Sequence, residues 1–182
     1  MRLKIKLGLI TMSLNLYAAS VPVFQRYLGQ LSVMLDLAQA RVDAGALTEP
    51  ELLAAQLAPD MLPLQTQVVV AGGFVLRALA PLLGEAVPAF GDVAKSLSGL
   101  QALIRARQAW LSTLSPDAFD GAEARLIRSD AGHAEIELAG ADFLLQFALP
   151  NFFFHLTCAY AILRQQGVGL SKEDFDGLHR WR

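Results

Sequence analysis

The stretch from Phe143 to Leu163 constrains the fold more than any other part of the chain. It contains no Asp, Glu, Lys or Arg, and at about 20 residues it is long enough to cross a bilayer as a helix. Gln146, Pro150, Asn151 and His155 interrupt it, and neither aromatic belts nor clustered basic flanks accompany it. Because a helix that is apolar on all sides also occurs at the centre of a bundle, we interpret the stretch as a central bundle helix and expect no membrane span.

The composition predicts one domain in a reducing compartment. A chain of 182 residues, 54% hydrophobic and 18% charged, is long enough to bury one sizeable core. Its net charge of -2 gives no basic surface for nucleic acid. Cys158 is the single cysteine, so it forms no internal disulfide, and its apolar neighbours indicate a buried, inert thiol. We therefore expect a cytoplasmic protein without a nucleic-acid partner.

Hydrophobic periodicity predicts four long helices and one short helix. Apolar residues recur at i, i+3, i+4 and i+7 through residues 13–44, which marks the first long helix. Thr48 followed by Glu51 predicts the N-cap of a short helix that ends near Leu57. The other long helices are predicted for residues 61–83 with Asp60 as N-cap, for residues 93–114 with Asp92 as N-cap, and for residues 141–166.

A change of periodicity between residues 123 and 138 predicts a β-hairpin before the last long helix. Residues 134–138 alternate strictly between apolar and charged, and residues 124–128 do so loosely, on either side of a turn at residues 130–132. Arg125 and Arg128 are expected to pair with Glu135 and Glu137 across the strands. The predicted fold is therefore a mainly α four-helix bundle with a short connecting helix and one small β-hairpin.

The ends of the chain are predicted to lie outside a single domain at residues 12–177. The apolar run from Leu7 to Ile10 is shorter than the roughly 7–15 residues of a secretory signal. We therefore expect residues 1–11 to be a disordered extension, with Met12 as a second possible start. Phe175 is expected to dock on the bundle, and residues 178–182 are expected to fray.

The constellation with chemical potential is Asn151-x-x-x-His155, which puts an amide and an imidazole on one face of the last helix. Walker loops, paired-cysteine zinc motifs, nucleophile elbows and dinucleotide fingerprints are absent from the sequence. Two ligands at i and i+4 can share a metal ion. The alternative is a buried histidine satisfied by a hydrogen bond to Asn151 or to a backbone carbonyl, and spacing alone favours it.

Several motifs resemble the DinB/YfiT-like four-helix superfamily, and more closely one bacterial domain-of-unknown-function branch of it. Together they span residues 12 to 177. The matching stretches are Met12-Ser-Leu, Tyr17-x-Ala-Ser-Val-Pro-Val-Phe24, Leu57-Ala-Pro-Asp-Met61, Phe119-Asp-Gly121, Leu149-Pro-Asn-Phe-Phe-Phe-His155, Tyr160-Ala-Ile-Leu-Arg164 with Gly167-Val168, and Lys172-x-Asp-Phe175.

The resemblance implies an up-down-down-up bundle that is often dimeric. Many members hold a metal with one histidine on the second helix and a His-x-x-x-His pair on the fourth. Some of them are metal-dependent transferases of low-molecular-weight thiols, and others resemble hydrolases or isomerases. In this chain His155 falls on the second histidine of the pair, Asn151 stands where the first is expected, and residues 61–83 contain no histidine.

These observations lead to two hypotheses about function. The first is a homodimeric DinB-like bundle with a small metal-free pocket around Asn151 and His155, for which Asp60 and Tyr160 are further candidate residues. The second is a thiol transferase that uses zinc or another divalent metal, bound by His155 together with ligands other than histidine, such as Asp60. Neither the substrate nor a ligand follows from the sequence.

Overall fold

The chain folds into a mainly helical bundle with one two-stranded antiparallel hairpin. The computed structural model describes residues 15–89 and 91–179, so the predictions for residues 1–11, Met12 and residues 180–182 lie outside it. In chain order the elements are α1 (Leu16–Asp43), α2 (Glu49–Ala54), α3 (Leu64–Leu82), α4 (Leu97–Leu111), two 3-10 turns (Pro116–Phe119 and Ala122–Ala124), β1 (Leu126–Asp130), β2 (Glu135–Ala139), α5 (Gly140–Asp142), a π-helical stretch (Phe143–Ala148), α6 (Leu149–Gln165) and α7 (Lys172–Asp176).

The core lies between α1, α3, α4 and α6, and the contact between α3 and α6 is the most extensive. α3 is the one helix in the described ranges that is long and apolar enough to cross a membrane, and 67% of its apolar window is buried inside the bundle. Such burial is what the central helix of a bundle requires. The stretch singled out in the sequence, Phe143–Leu163, packs against α3 as the second central segment.

Pro150 lies inside a continuous helical path, and the π-helical stretch precedes it. In a regular helix the proline ring would clash with the carbonyl four residues earlier, and the missing N–H would leave that carbonyl without a donor. Here the Leu149 N–H reaches back five residues to the Leu144 carbonyl, which widens the turn just before the proline. The helix predicted for residues 141–166 is thereby confirmed in extent.

Two predicted N-caps are wrong. α3 begins at Leu64 after Pro63, and Asp60 lies exposed in the preceding turn. A residue before proline is driven away from helical backbone angles, so the helix cannot run through Leu62 and starts later than expected. α4 begins at Leu97, where Ser96 is the N-cap and its Oγ accepts the Gly99 N–H at 3.0 Å.

The helix ends also differ slightly from the predictions. α2 ends at Ala54 before residue 57, because the Ala55 carbonyl accepts the Leu64 N–H at 2.9 Å and so connects to the start of α3. At the start of α2, Thr48 occupies the N-cap position as predicted. Its hydroxyl donates to the Glu51 carboxylate and accepts no backbone N–H. α4 ends at Leu111, where the Ser112 N–H caps the Gln108 carbonyl.

The predicted hairpin is confirmed, and so is one of the two predicted ion pairs between its strands. Arg128 lies opposite Glu137 in the antiparallel register, and Arg128 Nε is 2.5 Å from Glu137 Oε2. Arg125 precedes β1 and instead donates to the Leu82 carbonyl at the end of α3. Its predicted pairing with the β2 carboxylates is therefore wrong. The residue that β1 turns into the core is Ile127.

Phe175 of α7 docks on the bundle as predicted. Its ring makes edge contacts with Tyr27 and Tyr160, with centroids 5.6 and 5.4 Å away. Beyond α7 the Asp176 carboxylate accepts the backbone N–H groups of Leu178 and His179. These bonds tie residues 178 and 179 to the last turn of α7.

Candidate functional site

His155 joins the two central helices through a single polar contact. It lies half-buried on the face of α6 that meets α3, and its Nδ1 is 2.7 Å from Gln67 Oε1. Gln67 is one of the few buried polar residues of the described chain, with 1% of its surface exposed. The histidine is thus satisfied by a hydrogen bond, as spacing favoured, but the partner is a side chain of another helix.

The second contact of Gln67 fixes the proton on the imidazole. Gln67 Nε2 donates to the Leu62 carbonyl at 3.0 Å, and a carbonyl can only accept. The Gln67 oxygen must therefore face His155, so Nδ1 carries a proton and donates it. A neutral imidazole in this tautomer keeps its lone pair on Nε2.

Aromatic rings hold the imidazole in its plane. The His155 ring stacks on Phe74 of α3, with centroids 5.9 Å apart and an angle of 20°, and Phe154 meets it edge-on at 5.2 Å. The guanidinium carbon of Arg77 lies 4.7 Å from the Phe74 centroid. Burial, and secondly the positive charge of Arg77, lower the pKa of His155 below its ordinary value of 6.5. The ring is therefore neutral at pH 7.

Asn151 does not bond to His155, although the two share a helical face. Its Nδ2 donates to the Phe147 carbonyl at 2.7 Å, within its own helical path. That bond lies at the wide turn before Pro150, where the proline supplies no backbone donor of its own. The amide of Asn151 thus serves the backbone of the helix.

The other candidate residues form no hydrogen bond with His155 or Gln67 within the described part of the chain. Tyr160 packs on Phe175 towards α1 and α7, and five residues along an α-helix turn its direction by about 140° from that of His155. Asp60 is exposed in the turn between α2 and α3. Cys158 is buried as predicted, and burial raises the pKa of its thiol. The structure therefore combines His155 with Gln67 and not with Tyr160.

The side chains around His155 do not fit the three-ligand metal site of the superfamily. Asn151 donates within its own helix, and the Gln67 oxygen already accepts from Nδ1. Across residues 15–89 and 91–179, no group of three or more His, Cys, Asp or Glu side chains is arranged to hold a metal ion. A zinc ion needs three or four such donors, so one imidazole is an incomplete set.

Gln67 is the site residue that sequence reasoning missed. It lies on the buried stripe of α3 with Ala71, Phe74 and Ala78, at the i, i+4, i+7 spacing of a core face. A polar residue on such a stripe requires a partner inside the protein. The sequence therefore contains a sign of this role, because Gln67 is the one polar residue on a stripe whose other residues are apolar.

Comparison with known proteins agrees with the fold. The model of a domain of unknown function, DUF1993, matches residues 16–176. Among solved structures, the crystal structure of a DinB family member protein from Shewanella denitrificans is similar, with a TM-score of 0.83 and 30% sequence identity. The similarity covers 92% of this chain and 94% of that chain. No protein with a curated description matches.

Proposed function

The chain belongs to the DUF1993 family and has a DinB-like fold, and we propose that it binds a small molecule at His155 without a resident metal ion. The ligand is a hydrogen-bond donor, a hydroxyl or a thiol, that donates to Nε2 of the neutral imidazole. The protein is proposed to be cytoplasmic and homodimeric.

The observation that carries this proposal is the hydrogen bond between His155 and Gln67. A buried amide held between the Leu62 carbonyl and Nδ1 keeps the ring in one tautomer and one orientation. Nε2, the other ring nitrogen, has no hydrogen-bond partner within the described residues. An oriented lone pair on a half-buried ring is suited to accept a proton or a hydrogen bond from a ligand.

One observation favours the alternative, a metal-dependent transferase of low-molecular-weight thiols. A histidine that donates one ring N–H to a protein oxygen and leaves the other nitrogen free has the arrangement of many metal ligands. The further ligands would have to come from outside the immediate surroundings of His155, for example from Asp60 in its exposed turn. Because the donor set is incomplete, we rank this function second.

Exposed apolar side chains support the proposed dimer. Phe154 is 56% exposed on the outer side of α6, two residues after the buried Phe152. Leu145, in the π-helical stretch, is 46% exposed. Contact between two copies on this side would remove these apolar surfaces from water.

The two functions are separated by the metal content of protein purified without a histidine tag. We expect no stoichiometric Zn, Ni or Fe, and we expect added zinc to change the melting temperatures of the wild type and of His155→Ala equally. Near-stoichiometric metal that is lost in His155→Ala would overturn the metal-free proposal and favour the alternative.

Ligand binding is tested with 1-thioglycerol, a neutral molecule that carries both a thiol and hydroxyls. We expect saturable shifts of the His155 ring resonances, and we expect Gln67→Leu to weaken binding because the ring is no longer held. Glycerol, which has hydroxyls but no thiol, gives the binding that the hydroxyls provide by themselves. If neither compound moves the His155 resonances of the wild-type protein, recognition of a small donor is excluded for this site.

A further inference from the structure

A cavity lies between α3 and the hairpin, and neither His155 nor Gln67 lines it. Its volume is about 370 Å³, within the usual range for small-molecule sites. α3, the loop after it and β1 form its walls, through Arg77, Pro81, Val87, Arg128, Ser129 and Asp130.

Three charged residues line the cavity, and two of them have partners within the hairpin. Arg128 forms an ion pair with Glu137 on the neighbouring strand, with Nε and Oε2 2.5 Å apart. The Asp130 carboxylate accepts the Gly132 N–H at 2.7 Å and so belongs to the hairpin turn. The backbone N–H does not neutralise Asp130, which keeps its negative charge. Of the two arginines, Arg128 is paired and Arg77 has no carboxylate partner among the described residues.

Arg77 has neutral partners only. Its Nη2 donates to the Asp130 carbonyl at 2.9 Å, and its guanidinium carbon lies over the Phe74 ring. No carboxylate of the described chain is within ion-pair distance of it. A guanidinium carries five N–H donors in a planar fork that matches a carboxylate or a phosphate, so most of these donors remain for an anion.

The remaining walls are apolar or small. Val87 is 40% exposed at the cavity, and Pro81 adjoins it in the last turn of α3. A ligand that covers Val87 removes apolar surface from water while its charged end reaches Arg77. The cavity therefore combines one unpaired cation with an apolar wall.

We propose that this cavity binds a small organic anion, with its carboxylate or phosphate on Arg77 and its apolar part against Pro81 and Val87. The proposal goes beyond the role of His155 and does not rest on it, since His155 does not line the cavity.

Isothermal titration calorimetry with benzoate and phenyl phosphate tests the proposal, and benzyl alcohol serves as the neutral probe. We expect saturable binding of at least one anion and none of the alcohol. Arg77→Gln should weaken binding about ten-fold or more, as expected for the loss of a charged hydrogen-bond pair. Arg26→Gln, which removes the same charge from an exposed position of α1, should bind as the wild type does.

A second variant leaves Arg77 and its contact with the hairpin in place. Val87→Glu puts a carboxylate into the cavity and should abolish anion binding, whereas Val87→Gln, of the same size without the charge, should retain it. Because Val87 is exposed, both variants are expected to fold. Absence of saturable binding to the wild type, or equal affinity of Val87→Glu and Val87→Gln, would overturn the proposal.

Discussion

At the scale of single residues, Gln67 and His155 depend on each other. The glutamine is buried, and each end of its amide has one partner, the Leu62 carbonyl or the imidazole. A buried polar group that loses its partner is costly, because it gave up its bonds to water on folding. The pair therefore couples the stability of the α3–α6 contact to the orientation of the ring.

Gln67→Leu should lower the free energy of unfolding by about 1–3 kcal/mol, because it leaves the Leu62 carbonyl and the His155 N–H without partners. Urea unfolding measures the change. Gln65→Leu, two residues earlier on α3 and partly exposed, is the matched control and should stay near the wild type. Equal stability of the two variants would contradict the role given to Gln67.

Sequence reasoning found His155 but not its partner. The spacing of Asn151 and His155 is local, so the sequence showed that they share a face. The contact with Gln67 joins residues 88 positions apart, and no local pattern encodes which face of α3 meets α6. The intrahelical role of Asn151 depends on the wide turn before Pro150, which periodicity does not show.

At the scale of elements, local signals placed the helices correctly but not all their ends. Four helices and the hairpin follow from periodicity, because a stripe of apolar residues must face the core. Two predicted helix starts are wrong because an aspartate has the sequence pattern of an N-cap, whereas a residue closer to the helix occupies the N-cap position. At α4 this residue is Ser96, whose side chain caps the helix. At α3 it is Pro63, which occupies the N-cap position without a side-chain hydrogen bond.

Ser96→Ala should destabilise the protein by about 1 kcal/mol, the usual cost of removing an N-cap side chain. Asp92→Ala should leave stability unchanged, because Asp92 is exposed and lies before the helix. Thermal or urea unfolding of the two variants decides the matter. A larger loss of stability in Asp92→Ala than in Ser96→Ala would show that Asp92 is the N-cap, as predicted from the sequence.

Asp176 makes the end of α7 sensitive to acid. Hydrogen bonds from the Leu178 and His179 backbone, together with the His179 ring, lower its pKa from 3.8 to about 2. Because the folded pKa is the lower one, its contribution to stability is complete above about pH 4 and is lost as the pH falls towards 2.

Asp176→Asn should therefore be less stable than the wild type at pH 6, and the difference should shrink as the pH falls to 3. Urea midpoints at the two pH values provide the measurement. Asp60→Asn, at an exposed turn position, is the control and should differ little from the wild type at either pH. A difference for Asp176→Asn that stays constant between pH 6 and pH 3 would show that the carboxylate charge is not responsible.

At the scale of the whole molecule, the bundle explains the apolar composition of the chain. α3 and α6 cover each other, and α1 and α4 complete the core. Length and hydropathy alone make α3 a candidate membrane span, yet most of it is buried by its neighbours. The architecture was predictable because the amphipathic faces and the DinB-like motifs both indicate a helical bundle. Assembly into a dimer depends on surface residues, which show no periodic pattern in the sequence.

For the proposed homodimer, Phe154→Asp should shift the mass from that of a dimer to that of a monomer, because a charge placed in an apolar contact between two copies is costly. Sedimentation velocity measures the mass. Leu126→Asp, at a position of the hairpin that is 62% exposed, is the control and should leave the mass unchanged. A monomeric wild type, or a dimer that persists in Phe154→Asp, would contradict the proposed interface.

In the proposed site the side chain of Gln67, and no metal ion, holds the His155 ring. Long-range ¹H–¹⁵N NMR of the imidazole at pH 7 tests it most directly, with the resonance assigned by His155→Ala. The expected spectrum is that of a neutral ring protonated on Nδ1, unchanged by one equivalent of zinc and altered in Gln67→Leu. A ring protonated on Nε2, or an Nε2 resonance that moves when zinc is added, would contradict the account.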